Sequence, residues 1–269
     1  MPELPEVQTV LDTLESRIKD RRITKIQIRY KPIVEGDIHL FTDSLSGQHF
    51  RCFKRRGKYL LFEMDDLTLV SHLRMEGKYF ILNESVPYNR HDHVIFFLDD
   101  GSQLRYNDVR KFGRMEIIPK QKDYSDFKGL GPEPFDRRFC VSYCRNVLKD
   151  RKTLIKQVLL DQSFVAGIGN IYADEILFAL KIDPRKAAGE LNDAQLKQLI
   201  IQTRRILKKA IEAGGTTIRS YTSSLGVSGR FQLELKVHAQ KNCPVCGNPI
   251  RKIRVGGRGT YYCERCQKL

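Results

Sequence analysis

The chain has 269 residues, 41% of them hydrophobic, enough for more than one core and for two or three domains. With 47 Lys+Arg against 32 Asp+Glu it carries a net charge of +15, so the expected partner is a polyanion, most simply a nucleic acid. No long uncharged apolar run gives a membrane span or signal peptide, and no segment pairs an apolar face with a uniformly basic one, as an anionic-membrane binder would.

The chain opens Met1-Pro2-Glu3-Leu4-Pro5-Glu6. If Met1 is removed, Pro2 becomes a free secondary amine, partly neutral near pH 7. Attack by such an amine on an aldehyde-like carbon gives an iminium ion that stays cationic, acidifies the neighbouring C–H bond and so favours elimination. Glu3 stands next to it and could move protons. Pro5 fits the first turn of a helix whose apolar residues Val7, Val10, Leu11, Leu14 and Ile18 share a face. Pro2 and Glu3 then sit at the positive end of that helix. The plain alternative is an ordinary N-terminal helix with two acidic residues in its first turn.

From Ile23 to about Pro119 the sequence reads as short alternating strands, among them Ile23–Ile28 and Lys58–Glu63. His93–Leu98 and Gln103–Tyr106, joined through Asp100-Gly101, read as a hairpin. Strands at this spacing without intervening helices predict an antiparallel β-sandwich. Gly129-Leu130-Gly131-Pro132-Glu133-Pro134 is dense in breakers and marks a boundary.

Beyond it the period becomes helical. Leu154–Leu160 and Ile171–Leu180 are helical stretches, joined by Ser163–Asn170, which allows a tight reversal or a phosphate-holding helix N-terminus. Leu191–Ile211 is the clearest helix, with Asn192 and Gln195 as a capping pair and Gly214-Gly215 as its stop. Thr216–Arg230 is rich in Ser, Thr and Gly without periodicity, which fits a binding loop or plain disorder.

Cys243-x-x-Cys246 and Cys263-x-x-Cys266, with residues 247 to 262 between them, match four-Cys zinc spacing. Four thiolates leave no open position, so the expected cofactor is one structural Zn²⁺ that supplies folding free energy to a segment too short for its own core. Arg251, Lys252, Arg254 and Arg258, with Gly256, Gly257 and Gly259, make the intervening hairpin basic. Of the seven cysteines, Cys140 and Cys144 lie one helical turn apart and read as two core thiols; the usage fits a reducing, cytosolic compartment.

Three further clusters mix cations, His and large apolar groups: His72–Gly77, His91-Asp92-His93 and Asp108–Gly113. A basic residue beside an exposed Met or Phe is the composition of a wedge that enters a base stack. Charged strand ends with inward-facing Met75 and Phe112 explain it as well.

Taken together, Met1–Val7, Gly57-Lys58-Tyr59-Leu60, the three clusters, Gly131–Pro134, Val165–Ala173 and Gly257–Cys263 resemble the formamidopyrimidine-DNA glycosylase family along essentially the whole chain. The resemblance implies an α+β multidomain protein. Its expected parts are an N-terminal antiparallel β-sandwich flanked by helices (1–131), a helix-two-turn-helix domain (132–236) and a C-terminal β-hairpin zinc finger (237–269).

It implies a bifunctional repair enzyme that excises oxidised purines, 8-oxoguanine and formamidopyrimidines, and then nicks the strand. Pro2 would be the Schiff-base nucleophile, Glu3 the general acid/base and Glu6 a support of the site. Lys58 would serve proton transfer in β-elimination and Arg258 the δ-elimination. His72, His91, Arg110 and Arg151 fall at DNA-binding positions, and Lys156 and Asn170 match residues that hold phosphates near the lesion. Met75, Arg110 and Phe112 match the trio that fills the gap when the base is flipped, and the Thr216–Arg230 loop would cover that base. The expected partner is damaged double-stranded DNA, handled by a monomer in the bacterial cytoplasm and away from membranes.

Gln8 stands where many relatives carry Glu, and Arg151 where Lys is usual. Leu235–Asn242 lacks the usual Tyr-Gly-Arg wording and is shorter before Cys243, which bears on how the zinc finger joins the helical domain. Two alternatives stand beside this reading. An endonuclease VIII-like enzyme for oxidised pyrimidines shares Pro2 and Glu3 but usually opens with Gly in place of Leu4 and lacks the Met75–Arg110–Phe112 set. A non-catalytic zinc-dependent nucleic-acid binder needs only the charge and the four cysteines.

Overall fold

The computed structural model describes residues 1–216 and 230–269, and the Thr216–Arg230 segment therefore lies, but for its two ends, outside the described residues. By its contacts the chain divides into two compact units, Met1–Tyr124 with the residues from Gly214, and Ser125–Ala213 with Phe231–Leu269.

In the first unit, helix α1 (Leu4–Ile18) carries Pro5 in its first turn and buries Val7, Val10, Leu11, Leu14 and Ile18, the stripe expected from the sequence. Two four-stranded antiparallel sheets follow. One has the order β2 (Cys52–Arg56), β3 (Tyr59–Glu63), β4 (Leu67–His72), β8 (Arg114–Pro119). The other runs β1 (Ile23–Ile28), β6 (Asp92–Leu98), β7 (Ser102–Asn107), β5 (Lys78–Asn83).

Their inner faces share one core in which Leu60, Phe62, Leu69 and Met115 meet Tyr79, Val94, Phe96, Leu104 and Tyr106. Phe62 and Tyr79 meet edge to face, their ring centroids 6.0 Å apart. The phenol of Tyr79 finds a partner by donating to Ser71 Oγ at 2.8 Å. The β6–β7 hairpin turns at Asp99–Gly101, where Asp100 Oδ1 accepts from Ser102 N at 2.9 Å. A short helix, α2 (Ile38–Leu45), is capped by Asp37 and buries Phe41 and Leu45.

The second unit is helical: α3 (Val141–Leu148), α4 (Ile155–Leu160), α5 (Asn170–Leu180) and α6 (Asp193–Glu212), followed by a two-stranded antiparallel hairpin of β9 (Arg251–Val255) and β10 (Arg258–Tyr262). α5 is buried along Ile171–Phe178, the mark of a central helix packed on several sides. α6 opens with the expected Asn192–Gln195 capping box. One expectation fails locally: Cys140 is not a core thiol beside Cys144 but the half-buried N-cap of α3, its Sγ 3.1 Å from Ser142 Oγ, whereas Cys144 is fully buried.

Candidate active site

The chain start is held inside the first unit. Pro2 is buried, and Glu3 and Glu6 are only 3% and 4% exposed. Glu3 is the N-cap of α1, and Glu6, in the first turn, accepts from the Glu3 N–H through Oε2 at 2.9 Å. The other oxygen, Oε1, accepts from the N–H and hydroxyl of Thr216 at 2.8 and 3.0 Å. Next to it, Gly215 has a φ of +79°, and a Cβ there would lie 2.8 Å from Glu6 Oε1. The carboxylate thus fills a slot that only glycine leaves open.

With Met1 in place, burial pushes the Met1 amine toward its neutral form; Glu3 and Glu6 oppose this, while Lys58 and Arg110 reinforce it. Lys58, 6% exposed, sits in the β2–β3 turn. That turn is tied to α1 through Arg55, which donates from Nε to Gln8 Oε1 at 3.0 Å and from a terminal nitrogen to Gly57 O at 2.9 Å. Gln8 also donates to Asp12 Oδ1 at 2.8 Å, a bond that a carboxylate at position 8 would not make. An amine freed at Pro2, with two carboxylates and an ammonium at the same helix N-terminus, could attack an electrophilic carbon and shuttle protons around it.

A shallow recess in the same unit is lined by Met1, Arg74, Met75, Phe112 and Arg114. Phe112 is 48% exposed and Met75 half-buried, so only Met75 approaches the inward-facing alternative. The Arg110 guanidinium lies 4.8 Å from the Phe112 ring centroid. Buried Asp108 shapes this loop, accepting from Arg110 N at 3.0 Å and from Gly113 N at 2.8 Å. Its carbonyl bonds the ring of His93 at 2.7 Å, which makes His93 a structural histidine, and burial pushes His93 toward the neutral form. Buried His72 accepts from Arg74 N at 2.9 Å, and His91 accepts from Arg90 Nε at 3.0 Å.

In the second unit, Asn170 begins α5 and donates from its amide to Gly259 O at 2.8 Å, so it adjoins the hairpin residue Arg258, which is exposed. The hairpin's Gly256-Gly257 turn presses on α4: a Cβ on Gly256 would come within 2.6 Å of Gln157. Arg151 follows α3, half-buried, and its carbonyl accepts from Gly189 N at 3.0 Å. Lys156 is not a surface cation. It is fully buried, with Nζ 2.5 Å from Asp174 Oδ1 and 3.0 Å from Asn170 O. Asp174 Oδ2 also meets His238 Nδ1 at 2.6 Å.

The Sγ atoms of Cys243, Cys246, Cys263 and Cys266 all lie within 4.8 Å of one another, with Cys243–Cys266 at 3.8 Å and Cys246–Cys263 at 3.5 Å. Zn–S bonds of about 2.3 Å in a tetrahedron separate sulfurs by roughly 3.8 Å, so the donor set fits one zinc ion. The metal would hold the hairpin together and take no part in chemistry.

Sequence reasoning gave no role to Thr216 or Asp174, and it singled out Asp108 within a cluster without its part in shaping the loop. Asp108 had a local signal, an Asp followed by a short turn it could cap. Thr216 and Asp174 had none, because their partners lie far along the chain.

Known proteins place these observations. Residues 1–115 match the formamidopyrimidine-DNA glycosylase N-terminal domain, residues 130–222 the formamidopyrimidine-DNA glycosylase H2TH domain, and residues 241–269 the zinc finger found in FPG and IleRS. The formamidopyrimidine-DNA glycosylase of Streptococcus mutans is 46% identical over 272 residues, covering 100% of both chains, and that of Bacillus licheniformis is 46% identical over 277 residues with the same coverage. A Lactococcus lactis FPG mutant in complex with Fapy-dG-containing DNA superposes with a TM-score of 0.94 at 41% identity over 100% of both chains. Fold and site define a zinc-finger DNA glycosylase. The chain belongs to the formamidopyrimidine-DNA glycosylase family.

Proposed function

We propose that the protein excises oxidised purines, 8-oxoguanine and formamidopyrimidines, from duplex DNA and then cleaves the strand by β,δ-elimination. With Met1 removed, the amine of Pro2 attacks C1′ of the damaged nucleoside, the C1′–N9 bond breaks and the base leaves with the bonding pair. Glu3 delivers a proton to the ring oxygen as the sugar opens, giving an iminium ion at C1′. Loss of a C2′ proton then expels the 3′ phosphate, a transfer assigned to Lys58, and a second elimination assigned to Arg258 expels the 5′ phosphate.

The observation that carries this reading is the burial of Pro2, Glu3, Glu6 and Lys58 at the start of α1, where removal of Met1 would leave the Pro2 amine beside two carboxylates. The recess with Met75 and Phe112, and Arg110 over the Phe112 ring, supply groups to occupy the gap that a flipped base leaves, at a cost in stacking of a few kcal/mol. We assign His72, His91 and Arg151 to the DNA backbone. Asn170 holds a phosphate beside the zinc hairpin, and buried Lys156 supports it through its main chain. The division into residues 1–131, 132–236 and 237–269, action as a monomer and residence in the bacterial cytoplasm complete the proposal.

Incubation with an 8-oxoguanine duplex and sodium borohydride tests it. A covalent complex between the N-terminus and lesion DNA is expected, and its absence with Met1-free protein, verified by mass, would overturn the assignment.

A further inference from the structure

The Glu6 carboxylate joins Glu3 to Thr216. Both lie in the same compact unit, although they are far apart in sequence. Glu6 is 4% and Thr216 3% exposed, so water does not substitute freely for either partner. Oε1 accepts two bonds from Thr216, one from the main chain and one from the hydroxyl, at 2.8 and 3.0 Å. Two donors on one oxygen fix the plane of the carboxylate. The second oxygen is thereby aimed at the Glu3 N–H, which it meets at 2.9 Å. All three of these bonds are donated to the carboxylate, which suits an ionised group. Gly215, at φ +79°, brings the chain so close that any Cβ would displace Oε1.

We infer that Thr216 is a positioning residue for the reaction, orienting Glu6 so that Glu6 holds the Glu3 main chain, and with it the adjoining nucleophile, in register for attack. The inference rests on the catalytic reading above and extends it to a residue that touches no reacting atom. Rotation of a carboxylate left with one donor from Thr216 moves Oε2 off the Glu3 N–H. A displacement of about an ångström at a reacting group costs up to about 100-fold in rate.

The test is single-turnover excision on an 8-oxoguanine duplex by Thr216→Val, Thr216→Ser, Glu6→Gln and the Thr216→Val/Glu6→Gln pair, with dissociation constants measured alongside. For Thr216→Val the excision rate is expected to fall by about 10- to 100-fold, with affinity changed less than about threefold. Thr216→Ser, which keeps the hydroxyl, is expected to restore the rate to within about threefold of the parent. The double variant is expected to be no slower than Glu6→Gln alone, because the two residues act as one unit.

A Thr216→Val protein at the parent rate, a Thr216→Ser protein as slow as Thr216→Val, or additive losses in the pair would each overturn the inference. If Thr216→Val fails to fold, the Ser variant and the Glu6→Gln comparison decide. A parent protein that does not cut lesion DNA would sink the catalytic reading, whereas an active parent with an indifferent Thr216→Val sinks only this inference.

Discussion

Lys156 and Asp174 form an ion pair at 2.5 Å in which both side chains are fully buried. Such a pair gains little over well-packed apolar groups, but removing one member strands a charge without water. Asp174→Ala is therefore expected to destabilise the second unit by about 3–5 kcal/mol, and Lys156→Met in the same chain to recover part of that loss. Urea denaturation of the three proteins checks it, and equal stability of the single and double variants would contradict it.

Glu3→Gln keeps the size of the side chain and removes its proton-transfer capacity. Affinity for lesion duplex is expected to stay within about threefold while base excision falls by roughly 10²- to 10⁴-fold. Full activity in a strand-cleavage gel would remove Glu3 from its assigned role.

Phe112 is 48% exposed beneath Arg110, so little of its area contributes to folding. Phe112→Ala is expected to change stability by less than about 0.5 kcal/mol. Its ring is assigned to the vacated base stack, where aromatic contacts contribute about 1–3 kcal/mol, so affinity for lesion duplex is expected to drop by that amount. Fluorescence anisotropy against lesion and undamaged duplexes measures both.

Stripping zinc, or substituting Cys246 by Ser, is expected to unfold the hairpin segment and abolish DNA binding while the first unit still melts cooperatively. Metal content, limited proteolysis and a gel shift on the same samples report all three. Normal binding by metal-free protein would refute a structural role.

Asp65 sets an acid limb. Burial raises its carboxyl, but bonds from the His49 ring and N–H and from Arg51 outweigh this and hold it at about 2, against 3.8 for a free group. Because the folded value is the lower one, the contribution to stability is present above about pH 4 and is lost as pH falls toward 2. The group is partly exposed, so the loss is expected to be only about 1 kcal/mol. Asp65→Asn should be less stable than the parent at neutral pH and should show a flatter decline between pH 4 and 2.

Elements with a local signature could be read directly from the sequence. The apolar stripe of α1, the Asn192–Gln195 cap of α6 and the β6–β7 hairpin lie within a few residues of where their side chains predict them. The four cysteines announced their site because two thiols on one tight turn converge on one ion. Groups whose meaning is set at long range were silent. Glu6 and Thr216 meet across 210 positions, and Asp174 serves Lys156 and His238 from opposite directions along the chain. Cys140 was misread because periodicity places residues on a face without saying where the helix begins. The exposure of Phe112 depends on Asp108 gathering the loop's N–H groups, which composition does not reveal.

Glu175 of α5 accepts from the N–H groups of Lys236, Val237 and His238 at 2.9, 2.9 and 2.8 Å. Those donors belong to the peptide backbone, which every residue type except proline supplies alike. The connector leading into the metal-binding hairpin is thus docked in part by features common to nearly any wording, with buried Val237 and the His238–Asp174 contact adding what its side chains supply. Three main-chain bonds at this junction converge on a single acidic side chain in a neighbouring helix.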